Sequence, residues 1–428
     1  MFVSHIALDD FRSYRHAVLE FHPGTTVLLG ANGQGKTNLV EALAYLSSFS
    51  SHRVAADTAL VRAPMPGENP VPGAVVRAKS HSLGRERVIE LEIIRGKANR
   101  ARVNRNSVRP RDLLGLVRTV VFAPEDMELV TGDPGARRRF LDDLAVQLWP
   151  AYSSYKSDYD KVARQRGALL KQLGKQKRRG QPVDPATLEV WNKPFIESAS
   201  AVVKYRTQLV ELLKDPAHKA HETVSEASRE LYLSYESSLS AVDGVDGIEG
   251  YEDRLASALA NVAKREIARG VNLVGPHRDD LQLHLDHLPV KGYASHGECW
   301  SVALALRLGA FEILSKDRRT GEVDPPVLIL DDVFSELDAA RRSALLEVIE
   351  RAEQTIVTAA VGTDLPEQIQ AHTVSVVWDK NQGTQLQPVD RVDTSLADSP
   401  GAHVDSDAHV DSDARVDSAD EGSGDRDE

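Results

Sequence analysis

The stretch TTVLLGANGQGKTNLVE, residues 25–41, decides the fold. Val27, Leu28 and Leu29 form a short apolar run, the pattern of a buried strand, and it stops at Gly30. Residues 30–37 then spell G-x-x-x-x-G-K-[ST], the phosphate loop. Small residues let successive backbone N–H groups curl around phosphate oxygens, Lys36 reaches the β and γ oxygens, and the Thr37 hydroxyl can hold Mg²⁺. Leu39, Val40, Leu43 and Leu46 fall on one face of the helix that follows, and its positive end points at the same anion. The reading is a nucleoside triphosphate site made by Gly30, Ala31, Asn32, Gly33, Gln34, Gly35, Lys36, Thr37 and Asn38. A chance glycine-rich turn would lack the strand before it and the amphipathic helix after it.

At 428 residues the chain is long enough for two or three domains. Its single cysteine, Cys299, excludes an intramolecular disulfide framework and a cysteine-rich zinc site, and it suits a reducing cytosol. No run of about 18 apolar residues is present, so no spanning helix is expected. Of the formal net charge of −12, the last forty residues hold 13 Asp/Glu against 3 Lys/Arg, or −10, and residues 1–388 carry only −2. Within that body, residues 95–118 have eight Lys/Arg and one acid, and residues 135–180 have twelve and four. Two basic stretches in a balanced body are candidate nucleic-acid footprints, against the commoner reading of solvated surface. Arg102, Arg105 and Arg109 represent the first, and Lys171, Lys175, Lys177 and Arg178 the second.

Texture divides the chain into four parts. Residues 1–134 read as α/β, opening with a hairpin that turns at Asp9 and Asp10. Residues 135–270 read as a helical insertion: Tyr155, Tyr159, Val162, Leu169 and Leu173 keep a heptad spacing broken only at Arg166, and a return helix carries Phe195, Val202, Leu209 and Leu212. Residues 271–388 return to α/β, with a last strand at 373–378. Residues 389–428 contain the polar tandem repeat AHVDSDAHVDSDARVDS and are expected to be disordered.

The buried strand 327–330 delivers Asp331 toward the Mg²⁺ shell and Asp332 beside the γ-phosphate, where it can orient or deprotonate water. Lys36, Asp331 and Asp332 are therefore the candidate catalytic residues, and Thr37 and Asp331 the candidate metal ligands. Ser335, Glu336, Leu337 and Asp338 follow at once. Upstream, Ser295 is an obvious N-cap with Gly297 behind it.

This combination resembles the ATP-binding-cassette ATPases. There a signature serine at a helix N-terminus caps the γ-phosphate held on a second subunit, a role that falls to Ser295 and Gly297. The resemblance also assigns a D-loop to Ser335 and Asp338, and it puts Thr358 in the place of the switch histidine. Within that class, Phe11-Arg12-Ser13-Tyr14, Ser51-His52-Arg53, Phe122-Ala123-Pro124-Glu125-Asp126, Arg137-Arg138-Arg139-Phe140-Leu141-Asp142 and Gly275-Pro276-His277-Arg278-Asp279-Asp280 resemble the RecF family, in order, over residues 1 to about 385. The resemblance implies an ABC-type phosphate-loop ATPase head carrying a short antiparallel coiled coil. It implies a cytoplasmic, nucleoid-associated protein that binds ATP, Mg²⁺ and single-stranded, gapped or duplex DNA. It further implies an ATP-dependent homodimer with weak DNA-stimulated hydrolysis. RecO and RecR are the implied partners and RecA acts downstream, in gap repair and the SOS response. Two rival readings are a clamp that uses ATP only as dimer glue and a transporter's ATPase subunit.

Overall fold

The computed structural model describes residues 1–389, apart from residues 52, 55, 226–228, 246, 318–319, 363–364 and 367. Its strands are Phe2–Phe11 (β1), Tyr14–Glu20 (β2), Gly24–Leu29 (β3), Gly73–Ser82 (β4), Arg85–Ile94 (β5), Arg100–Val103 (β6), Asn106–Val108 (β7) and Thr119–Phe122 (β8), then Leu231–Glu236 (β9), Asp280–Leu285 (β10), Leu288–Pro289 (β11), Val327–Asp331 (β12), Gln354–Ala359 (β13), Ala371–Asp379 (β14) and Gly383–Val389 (β15). The helices are Lys36–Ser48 (α1), Met127–Thr131 (α2), Pro134–Leu148 (α3), Tyr152–Arg178 (α4), Glu189–Val224 (α5), Ser240–Asp243 (α6), Tyr251–Arg269 (α7), His296–Leu314 (α8) and Ala339–Arg351 (α9).

Among the described residues, a 12-stranded sheet runs β7-β6-β5-β4-β1-β2-β15-β14-β3-β13-β12-β8. From β14 to β8 every pair is parallel. Every residue of β12 and β13 is buried, which is why β12 reads as an unbroken apolar run up to Asp331 rather than as an alternation, while β13 also buries Gln354, Thr355 and Thr358. From β7 to β2 the pairs are antiparallel, and the pattern changes accordingly. Val76, Ala78, Ile89 and Leu91 enter the core, while Arg77, Glu90 and Arg102 ion-pair on the other face. Because β13 lies between β3 and β12, the carboxyl ends of all three open onto one crevice.

The helical insertion begins at α3. Helices α4 and α5 lie antiparallel, as the pairing of Tyr152 with Tyr205 and of Tyr159 with Phe195 requires, with ring centroids 5.5 and 5.4 Å apart. Arg166, the residue that interrupts the apolar heptad, is fully buried in this bundle. It donates to Glu266 Oε2 at 2.6 Å and Asn272 Oδ1 at 2.7 Å, and its guanidinium lies over the Phe195 ring. The expected boundaries near 134 and 270 mark changes of texture and not separate bodies, because head and insertion form one compact unit in which α5 packs along α8.

Two local expectations are corrected. The first hairpin turns at Arg12 and Ser13, three residues later than expected, because Arg12 takes φ 52° and lets β1 continue through Phe11. The strand at 373–378 is not the last, since β15 pairs back on β14 through Val389. That strand takes the first residue of the expected tail, and residues 390–428 lie outside the described residues.

Candidate functional site

Strand β3 ends at Leu29 and α1 begins at Lys36, so the phosphate loop is residues 30–35. Gly35 caps the helix at φ 106°, a region closed to side-chain-bearing residues without strain. A Cβ on Gly30 would stand 2.2 Å from Val376 O, and one on Gly35 would stand 2.6 Å from Thr384 Oγ1. Gly30 is thus packed against backbone and Gly35 against the side chains of Thr384 and Ser13, while Gly30 N donates to Ala359 O and Gln34 N to Ala31 O, which shapes the loop into a cradle. Lys36 is buried, its Nζ donating to Gly30 O at 2.6 Å and standing 4.0 Å from Asp332 Oδ1.

The second half of the site arrives from β12. Thr37 Oγ1 donates to Asp331 Oδ1 at 3.1 Å across 294 residues of chain. Thr358 Oγ1 donates to the same oxygen at 2.6 Å and accepts from Asp332 N at 3.0 Å. Burial pushes the Asp331 carboxyl up to about 6; the negative charges of Asp332 and Glu125 add to this, and the hydrogen bonds from Thr358 and Thr37 oppose it. Asp332, at φ 52°, is turned outward and more than a third exposed. A backbone cradle with an ammonium beside it suits a polyphosphate, and the hydroxyl and carboxylate oxygens of Thr37 and Asp331 suit Mg²⁺. Thr358, which the resemblance puts at the switch position, stands near the end of β13 beside both aspartates. Its side chain is buried, and both its hydrogen-bonding capacities are spent holding the two aspartates.

Ser295 caps α8 in a reciprocal box with Glu298, and both Ser295 and His296 are exposed. Arg341 ties this helix end to the start of α9 by donating to Gly297 O at 2.7 Å, to Ser301 Oγ at 3.1 Å and to the carboxylate of Asp338, the N-cap of α9. Ser335 Oγ donates to Asp332 O at 3.1 Å. Among the described residues no hydrogen bond or ion pair joins Ser295 or Gly297 to the phosphate loop. The structure therefore assembles Lys36, Thr37, Asp331, Asp332 and Thr358 and leaves the signature pair apart from them.

Glu41 and Thr384 were given no role from the sequence, and Arg12, Ser13, Tyr14, Ser51 and Arg53 entered only as motif residues of the resemblance. Glu41, one turn past Thr37, is 1% exposed and receives Arg12 Nη2 at 2.6 Å and Arg12 Nε at 2.7 Å. Ser51 also bonds to it, and Arg53 Nη1 reaches Asn38 Oδ1 at 2.9 Å. Thr384 Oγ1 donates to Gln34 O at 2.9 Å, Tyr14 OH donates to Gly35 O at 3.0 Å, and Asn38 Nδ2 donates to Ser13 Oγ at 2.8 Å. His52 lies outside the described residues.

The two basic stretches fare differently. Arg102 pairs with Glu90 at 2.5 Å and Arg109 with Asp112 at 3.0 Å, so strand pairing and a turn have neutralised two of the three expected cations, with Arg105 left in the β6–β7 turn. Lys171, Lys175, Lys177 and Arg178 are exposed at the end of α4 and in no ion pair among the described residues. The end of α7 lies against them: a Cβ on Gly174 would touch Ile267 O and one on Gly270 would touch Lys171 Cα. That contact adds Lys264, Arg265 and Arg269, also exposed, to the patch.

A phosphate loop facing a carboxylate strand across β13, with a capped signature helix and a helical insertion, defines an ABC-type ATPase head. The family model described as "RecF/RecN/SMC N terminal domain" matches residues 2–384. The chain is 48% identical over 395 residues to the DNA replication and repair protein RecF of Beutenbergia cavernae, covering 88% of this chain and 98% of that one. Solved structures described as RecF-ATPrS and RecF-ATP in the RecFOR pathway superpose with TM-scores of 0.75 and 0.74 at 29% and 27% identity. They cover 87% and 91% of this chain and 95% and 99% of those. The chain belongs to the RecF family of DNA replication and repair proteins. No helix among the described residues is long and apolar enough to cross a membrane.

Proposed function

We propose that this chain is a cytoplasmic, nucleoid-associated ATP-gated DNA clamp of gap repair, working with RecO and RecR to load RecA and so feeding the SOS response. The observation that carries the reading is the hydrogen bond from Thr37 to Asp331, which joins the phosphate loop to a carboxylate strand and makes one triphosphate site from both ends of the chain. Mg²⁺ held by Thr37 and Asp331 would supply charge neutralisation at the phosphates. Lys36 binds and orients the triphosphate. Thr358 fixes both carboxylates, and Asp332, outward-facing, positions water and accepts its proton. Ser295, exposed at the start of α8, and the half-buried Gly297 behind it close the phosphate loop of a second copy, and Arg341 carries that contact to Asp338. Binding of the γ-phosphate thereby selects the dimer. The basic patch on α4 and α7 contacts the DNA backbone.

ATP hydrolysis by wild type and Asp332→Asn, each with and without gapped duplex DNA, tests this. Wild type should turn over slowly and faster with DNA, while the variant binds ATP with turnover at least tenfold lower. Equal turnover in the two proteins contradicts the role of Asp332, and no turnover in wild type leaves only the glue-like clamp.

A further inference from the structure

We infer that Trp378 is the stacking wall for the base of the bound nucleotide, an inference that rests on the triphosphate site proposed above. The strand order sets the direction of the ligand. Asp331 and Asp332 lie at the end of β12, separated from β3 by β13, and β14 borders β3 on the opposite side. A triphosphate with its γ end at Asp332 therefore leads its ribose and base away from β13, toward β14. There the sheet has an overhang. The last pair between β14 and β3 is Ser375 with Leu29, yet β14 continues to Asp379, so four residues run on beside the phosphate loop.

Trp378 lies in that overhang. Val374 and Val376, four and two residues before it on the same face, pack in one core with Leu39 and Leu43 of α1. Trp378 comes next, where the core ends, and its side chain is 48% exposed. Its position is fixed without help from the indole. The Trp378 backbone N–H donates to the side chain of Gln34 in the phosphate loop, and its cross-strand partner Thr384 donates to Gln34 O at 2.9 Å. A half-exposed indole held rigidly at the outer lip of a phosphate loop offers a flat apolar face to a base, and such stacking is sequence-tolerant because every base has a π-face. The class of ligand is thus a nucleoside triphosphate held by its base as well as its phosphates.

Calorimetric titration of the full chain with Mg-ATP and with inorganic tripolyphosphate tests the inference. Trp378→Ala should weaken ATP binding about tenfold or more. Tripolyphosphate affinity should stay unchanged, and Trp378→Phe should recover most of the loss. Unchanged ATP affinity in Trp378→Ala overturns the stacking role, as does an equal loss for both ligands, which would mark a merely structural residue. A wild type that binds neither ligand overturns the triphosphate site itself.

Discussion

His277 and Asp143 show how single buried residues register pH. His277 Nε2–H donates to Asn272 O at 3.2 Å and its Nδ1 accepts from Tyr159 OH at 2.5 Å, with Arg138, Arg278 and Asp279 nearby. Burial pulls its pKa down to about 4, so it is neutral in the fold and the unfolded chain binds the extra proton between about pH 6.5 and 4. Its stabilising contribution is complete above pH 6.5 and is lost as pH falls through 4. Asp143 runs the other way: burial, then the charge of Asp142, push it up to about 7, and its contribution is lost as pH rises from about 4 to 7. Denaturant unfolding across that window should show the stability deficit of His277→Gln shrinking as pH falls. The same series should show Asp143→Asn gaining on wild type as pH rises, each by no more than about 1.4 kcal/mol per pH unit. Parallel curves for all three proteins would contradict the assignment. At this scale the sequence made the motif residues legible because each chemical role demands one residue type at one spacing. The bracing roles of Glu41, Ser13 and Thr384 were not legible, since a bracing side chain need only meet its partner in space.

Helix α4 carries the element-scale argument. Its heptad stripe predicted an antiparallel hairpin, and the single break at Arg166 marks a buried guanidinium whose partners, Glu266 and Asn272, are about a hundred residues away. Periodicity shows a polar residue on an apolar face but cannot name what satisfies it. The same helix explains why the two basic stretches differ. In β5 and β6 the register sets Glu90 opposite Arg102, whereas the last turns of α4 pack on the end of α7 through Leu170, Leu173 and Ile267 and leave the cations of both helices exposed. Reversing Lys171, Lys175, Lys177 and Arg178 to Glu should therefore lower DNA affinity by at least about tenfold between 50 and 200 mM salt and flatten its salt dependence. Reversing Arg102 and Arg109 should change affinity much less. Fluorescence anisotropy with gapped and single-stranded oligonucleotides measures both, and equal effects would place the DNA on the sheet.

At the scale of the whole molecule, the order of the 12-stranded sheet was beyond the sequence. Strands β1, β2 and β3 are consecutive in the chain, yet β14 and β15 from its far end are inserted between β2 and β3. What the sequence did carry was the division of the nucleotide site between residues 30–38 and 331–332, because each half is a complete local motif. The structure adds that Ser295 stands apart from that site at the exposed start of α8, with Gly297 behind it; the proposed function assigns the pair to the phosphate loop of a second copy. Mixing Lys36→Ala with Ser295→Arg subunits measures this most directly. Each variant alone should be inactive in ATP turnover, and the mixture should regain activity through dimers holding one intact composite site. A mixture as inactive as its components would contradict the shared site.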